Sequence, residues 1–295
     1  MNTSIAGKEG LSIIIPVYNE EIAIRPTLVE LQETLSSSEI PFYEILVVDD
    51  GSSDHTVQEI QAAHISCQII THKHNKGYGA SIKTGLRQAA YNTIVITDAD
   101  GTYPNQKIPE MYTYYQQHQL DMLIGARTGK HVSYPLIKKI PKFFITALAN
   151  YIADTKILDI NSGLRIFDKE IALQFFTLYP NGFSFTITIT MGMLCNGYEV
   201  DYFPIDYFAR QGKSKISPVK DTLGFFSLLS RITVFFNPLK FFLPFVGILA
   251  LISLGVFIRD VFIVFDLSQS AVLFPILTLL VFFMGLIADM ISKKL

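Results

Sequence analysis

An α/β fold is what the chain predicts up to about Tyr207: a Rossmann-like, mostly parallel sheet with helices on both faces. A hairpin of two membrane-spanning helices is predicted behind it. Three observations carry this. β-Branched runs alternate with helical segments between Leu11 and Gly125, the spacing of a parallel sheet wrapped by helices. The runs end in polar turns, above all Asp98-Ala99-Asp100 after Thr93-Ile94-Val95-Ile96-Thr97, and the carboxyl edge of an open α/β sheet is where ligands bind. Apolar residues, 49% of the 295, crowd into the last third.

Taken in order, Leu11-Ser12-Ile13-Ile14-Ile15-Pro16 predicts a strand that stops at a proline. A polar turn, Val17 to Glu20, leads into a helix to about Ser37. Tyr43 to Asp49 reads as a second strand, and Asp50-Gly51-Ser52-Ser53-Asp54 supplies the turn and N-cap for a helix through Gln61. Gln68 to Thr71 is a short third strand. Asn75-Lys76-Gly77-Tyr78-Gly79-Ala80 is a glycine loop opening a helix to Ala90, followed by the Thr93–Thr97 strand, a helix, and a strand from Asp121 to Gly125. No dinucleotide glycine fingerprint follows the first strand, which argues against a Rossmann dehydrogenase. Pro135 to Asp154 predicts an amphipathic helix with a basic end (Lys138, Lys139, Lys142), suited either to packing on the domain or to a lipid surface.

Leu239 to Ile258 and Ala271 to Ile291 are each about twenty apolar residues, long enough to span a bilayer. The segment before them, Pro218 to Phe236, reads as a helix lying along the interface. The expected division is therefore a catalytic domain over 1–216, a juxtamembrane helix over 217–237 and a hairpin over 238–295. Lys213, Lys215, Lys220, Arg231 and Lys240 precede the first span and Lys293 and Lys294 follow the second. The positive-inside rule then places the catalytic domain and both termini in the cytoplasm, with the connector Arg259–Ser270 outside. Met1 to Gly10 lacks a signal-peptide core. A net charge of −2 argues against nucleic-acid binding, and Cys67 and Cys195 show no metal spacing.

Asp98 and Asp100, one residue apart at a strand exit, can hold a divalent cation that neutralises a diphosphate; as plain structure they would cap the turn Gly101-Thr102-Tyr103-Pro104. Six segments in order then resemble a known family: Ile15-Pro16-Val17-Tyr18-Asn19-Glu20, Val48-Asp49-Asp50-Gly51-Ser52, Asp98-Ala99-Asp100, Gly125-Ala126-Arg127, Ser162-Gly163-Leu164-Arg165 and Gly212-Lys213-Ser214-Lys215. Together they resemble GT-A glycosyltransferases of the inverting family two, and more narrowly polyprenyl-phosphate hexosyltransferases of the dolichol-phosphate mannose synthase type.

The resemblance implies a nucleotide-diphosphate sugar donor of the GDP-mannose or UDP-glucose type, a polyprenyl (dolichyl or undecaprenyl) phosphate acceptor, and Mg²⁺ or Mn²⁺. It implies that Pro16, Tyr18, Glu20, Val48, Asp50, Lys76, Asp98 and Ala99 hold the nucleotide, and that Asp100, supported by Asp98, holds the metal. Arg127, Arg165, Arg210, Ser214 and Lys215 would surround the acceptor phosphate, where guanidinium pairs phosphate oxygens bidentately.

Two departures from the family pattern stand out. Thr102 replaces the glutamine that many members carry, and Phe183 to Thr190 lacks the carboxylate pair of relatives that glycosylate hydroxyls. A hydroxyl nucleophile needs a general base, whereas a phosphate monoester, with a second pKa of about 6, is already ionised. A site of this kind fits a lipid phosphate better than a sugar hydroxyl. Alternatives left open are transfer to a saccharide or lipid hydroxyl in polysaccharide synthesis, and a non-catalytic membrane protein that binds nucleotide-sugar. The phenylalanine-rich spans leave homo-oligomerisation open.

Overall fold

The computed structural model describes residues 10–129, 139–182, 184–209 and 233–292, with backbone alone for 139–145. Its N-terminal part is built on one seven-stranded sheet in the order β3-β2-β1-β4-β6-β5-β7. The strands are β1 (Leu11–Val17), β2 (Tyr43–Asp49), β3 (Gln68–Thr71), β4 (Thr93–Ile96), β5 (Met122–Ala126), β6 (Arg165–Asp168) and β7 (Val200–Pro204). All pairings are parallel except those of β6, which runs antiparallel between β4 and β5. The strands expected from the β-branched runs are present. β6 and β7 complete the sheet beyond them.

Alternation along β1 and β2 sends side chains to two apolar layers, because successive strand residues face opposite sides. Ile13, Ile15, Ile45 and Val47 pack with Leu28 and Leu31 of α1 (Ile24–Ser36) and Met111 of α4 (Ile108–Gln117). Ile14, Leu46 and Val48 pack with Ile82 and Leu86 of α3 (Tyr78–Gln88) and with Phe185 and Ile189 of α7 (Phe185–Cys195). Coverage of both faces is why the central strands read as continuous apolar runs. The remaining helices of this part are α2 (Thr56–Ala62), α5 (Lys139–Ala153) and α6 (Lys169–Gln174). The chain leaves β1 toward β2 and β3 on one side and returns through β4 on the other. That reversal opens a crevice at the carboxyl ends of β1 and β4.

The C-terminal hairpin consists of α8 (Pro238–Arg259), extended by a π-helical turn Asp260–Val264, and α9 (Gln269–Ser292). Both are long and apolar enough to cross a bilayer, at 27 and 24 residues with the π turn counted in the first. Their apolar side chains face outward, as at Leu251, 71% exposed. The connector expected over Arg259–Ser270 is shorter in the structure, because helix continues to Val264. Buried Asp260 accounts for this: it accepts from Arg259 and from the backbone N–H of Ser268 at 2.8 Å, tying the turn shut. Phe265 makes the reversal with φ +56°. Of the expected juxtamembrane helix, 233–236 is helical; 217–232 lies outside the described residues, as do Lys293 and Lys294.

Candidate active site

A cleft of about 250 Å³ sits at the sheet's switch point, lined by the exits of β1 (Pro16, Val17, Tyr18, Glu20), β2 (Asp50) and β4 (Asp98, Ala99, Asp100), and by Asn75, Gly77, Tyr78 and Ser81. Of the residues expected to hold a nucleotide, Pro16, Tyr18, Glu20, Asp50, Asp98 and Ala99 line it. Val48 does not. It points into the layer beneath α3 and is fully buried, so the structure places this expected nucleotide-holding residue in the core. Lys76 is exposed beside the cleft, and its backbone N–H binds Asp50.

Asp50 is a knot. Its Oδ1 accepts from the N–H of Lys76 at 2.9 Å and its Oδ2 from that of Gly77 at 2.7 Å, while His72 Nδ1 lies 2.7 Å from Oδ1. His72 Nε2 is held in turn by Thr84 Oγ1 at 2.9 Å. A carboxylate that takes successive backbone N–H groups fixes a loop's shape. The glycine loop is pinned from the other side by the 179–182 segment: Ala80 N–H donates to Asn181 O at 3.1 Å, and a Cβ on Gly79 would fall 2.2 Å from Pro180 O. Gly77 has φ +103°, a conformation that requires glycine.

Asp98 and Asp100 face the same cleft with different supports. Asp100 is 8% exposed, and its Oδ1 accepts from Thr102 Oγ1 at 2.6 Å and Thr102 N–H at 3.2 Å. Thr102, which replaces the glutamine of many members, orients the carboxylate. Asp98 Oδ1 accepts from the Tyr78 hydroxyl at 3.1 Å, and Gly163 lies so close that a Cβ there would stand 2.8 Å from Oδ2. Burial, then the charge of Asp98, push the Tyr78 phenol well above its ordinary pKa, so it stays a donor. Among the described residues no group of three or more His, Cys, Asp or Glu side chains is gathered for a metal ion. Two carboxylates nonetheless fit a hard divalent cation that completes its shell with diphosphate oxygens and water.

The arginines are placed differently from one another. Arg127, at the end of β5, forks onto Asp159 with Nε···Oδ2 2.7 Å and Nη2···Oδ1 2.8 Å, its guanidinium 5.1 Å from the Tyr207 ring centre. The pair is nearly enclosed, with side chains 10% and 2% exposed. Asp159 is a partner that the sequence does not announce. Arg165 is fully buried: Nη1 donates to Thr186 O and Thr190 Oγ1, both 3.1 Å, and Nη2 to Ser162 O. The expected direct contact between Arg165 and an acceptor phosphate is therefore not what the structure presents; its guanidinium ties β6 to α7 behind the cleft. Burial pulls its pKa down, opposed by Tyr78, Tyr103 and Asp159. Arg210, Ser214 and Lys215 lie outside the described residues. Tyr103, whose hydroxyl accepts the Gly163 N–H at 2.6 Å, sits within electrostatic reach of both Arg127 and Asp98. It is the link between the carboxylates and the arginine.

Comparison with known proteins is consistent with this geometry. The model of Glycosyl transferase family 2 matches residues 12–176, and that of the GtrB C-terminal hairpin matches 237–293. The chain is 26% identical over 82% of its length to the low-salt glycan biosynthesis hexosyltransferase Agl6 of Haloferax volcanii, of which it spans 59%. It is 27% identical over 69% of its length to the undecaprenyl-phosphate mannosyltransferase of Micrococcus luteus, of which it spans 86%. Glucosyl-3-phosphoglycerate synthase from Mycobacterium tuberculosis, solved with Mn²⁺, UDP and phosphoglyceric acid, shares the GT-A fold at a TM-score of 0.57 and 16% identity, over 77% of this chain and 78% of that one. With a mixed, mostly parallel sheet, a carboxylate-lined cleft at its switch point and a membrane hairpin behind it, the chain belongs to glycosyl transferase family 2.

Proposed function

We propose that the protein is a membrane-bound inverting hexosyltransferase that moves a sugar from a nucleotide-diphosphate donor, of the GDP-mannose or UDP-glucose type, to polyprenyl phosphate. The observation that carries this reading is that Asp98 and Asp100 face one cleft with Pro16, Tyr18 and Glu20, on a domain whose chain continues into a bilayer-length hairpin. The name of the Micrococcus luteus relative points the same way.

In this reading the donor nucleoside lies between Tyr18, Glu20 and the Asp50-braced loop, with its diphosphate toward Asp98 and Asp100. Asp100, with Asp98, would hold Mg²⁺ or Mn²⁺, which when bound offsets the charge developing on the departing diphosphate. Thr102 and Tyr78 keep the two carboxylates oriented before substrate arrives, so little reorganisation is left for the reaction itself. The acceptor phosphate, already ionised, needs positioning rather than deprotonation. Arg127 supplies a fixed cation from its place on Asp159, and Arg210, Ser214 and Lys215 complete the acceptor side. α7 carries threonines and no carboxylate, so it offers no base to activate a hydroxyl. The phosphate oxygen attacks C1 as the nucleoside diphosphate leaves, inverting the anomeric centre in a single displacement. The catalytic domain and both termini face the cytoplasm.

The test is label transfer from a panel of radioactive nucleotide-sugars into a butanol-extractable lipid, with the full chain in polyprenyl-phosphate proteoliposomes. Asp100→Ala is expected to abolish transfer while leaving the protein membrane-inserted. Turnover retained in that variant would remove the assignment, and label entering polysaccharide instead of lipid would favour a hydroxyl acceptor.

A further inference from the structure

The hairpin is fastened to the catalytic domain at a point that none of the six motifs explains. Lys240, in the first turn of α8, reaches the end of α5: its Nζ donates to the carbonyl oxygens of Tyr151 at 3.1 Å and Ile152 at 3.3 Å and pairs with Asp154. It also stands 5.7 Å from the centre of the Tyr151 ring. The Lys240 side chain is 20% exposed although it belongs to a strongly polar residue type at the head of a membrane helix.

Each charge sits at the wrong end of its own helix. A cation in the first turn of α8 opposes that helix's dipole, and an acid just past the last turn of α5 opposes the dipole there. Asp154 also holds φ +52°, a left-handed position that glycine or asparagine ordinarily takes. Brought together, the misfits offset each other: Lys240 caps the negative end of α5, and Asp154 pairs with the cation that heads α8. Two local preferences are overridden at one contact, which is what a sequence does when the contact itself is needed. Phe236, one turn earlier, packs edge-on to Phe175 at 5.8 Å, so the latch has an apolar hinge plate beside it.

We infer that Lys240 is a positioning residue: with Asp154 and the last carbonyls of α5 it latches the catalytic domain to the membrane hairpin and sets the cleft at the height where a bilayer-bound phosphate can enter. Lys240 touches no reacting atom. The inference rests on the lipid-acceptor reading above and adds to it a determinant of access.

The experiment compares wild type, Lys240→Met and Lys240→Arg, full length and in proteoliposomes, on long-chain polyprenyl phosphate in the bilayer and on a short-chain, water-soluble polyprenyl phosphate. For Lys240→Met the expected result is a rise in apparent KM for the bilayer acceptor of about fivefold, the scale of a lost partly buried charge–dipole contact. Its kcat/KM on the soluble acceptor should be unchanged, and Lys240→Arg should restore the bilayer reaction. Equal loss on both acceptors, or no loss on either, overturns the latch. Should wild type transfer to neither acceptor, the lipid-acceptor reading fails. The latch is then judged by backbone hydrogen exchange over residues 150–155: faster exchange in Lys240→Met supports it, and unchanged exchange overturns it.

Discussion

Tyr78 shows how one hydroxyl can organise a cleft. Its donation to Asp98 at 3.1 Å comes from a phenol that burial and the neighbouring carboxylate keep protonated. A hydrogen bond to a charged group contributes on the order of 1.5–3 kcal/mol, so Tyr78→Phe is expected to lower transfer by about tenfold or more. Because the phenol pKa is raised, no alkaline loss of activity near neutral pH should trace to Tyr78; pH–rate profiles of wild type and variant should keep the same shape. Asp98 and Asp100 are legible in the sequence because they follow a β-branched run directly. Asp159 is not, since its partner Arg127 is 32 residues away and the pairing exists only once β5 and the loop before β6 meet. Val48 and Arg165 differ in a related way: each belongs to a motif that carries the resemblance, but each lies within a strand with its side chain fully buried.

At the level of elements, the glycine loop depends on what lies opposite it. The sequence shows a loop opening a helix, and α3 indeed begins at Tyr78; it does not show that the 179–182 segment closes on Gly77 and Gly79. Gly79→Ala would drive a Cβ to 2.2 Å from Pro180 O. The loop would have to shift at an overpacking cost of about 1–3 kcal/mol, and calorimetric titration with nucleoside diphosphate should show a weakening of about tenfold. Strands β1 to β5 are legible as apolar β-branched runs. β6 is a four-residue strand bounded by Arg165 and Asp168, and β7 is only half-buried at the sheet edge. Neither has the unbroken apolar run that marks a central strand. The antiparallel insertion of β6 is likewise invisible before its neighbours are known.

Across the whole molecule, the hairpin's two helices are held together by close contacts such as Gly285 on Phe242, where a Cβ would stand 2.9 Å from Phe242 Cβ. Gly285→Val is expected to lower the thermal midpoint of the membrane-embedded protein, with overpacking again costing about 1–3 kcal/mol. Nucleotide binding by the catalytic domain should persist, as titration of the same preparation would show. The hairpin is legible from length and composition alone; its mooring to α5 is not, because Lys240 and Asp154 look like ordinary surface charges until two helix ends are brought face to face.

Every cleft-lining side chain comes from the chain up to Asp100, while Arg127, Asp159 and Tyr207 come after it. The two stretches meet where Gly163 presses on the Asp98 carboxylate. In the proposed reading the first stretch handles the leaving group and the second receives the incoming group. Chimeras between relatives, cut in the stretch after Asp100, should exchange one trait without the other, provided the seam at position 163 stays bare of any side chain.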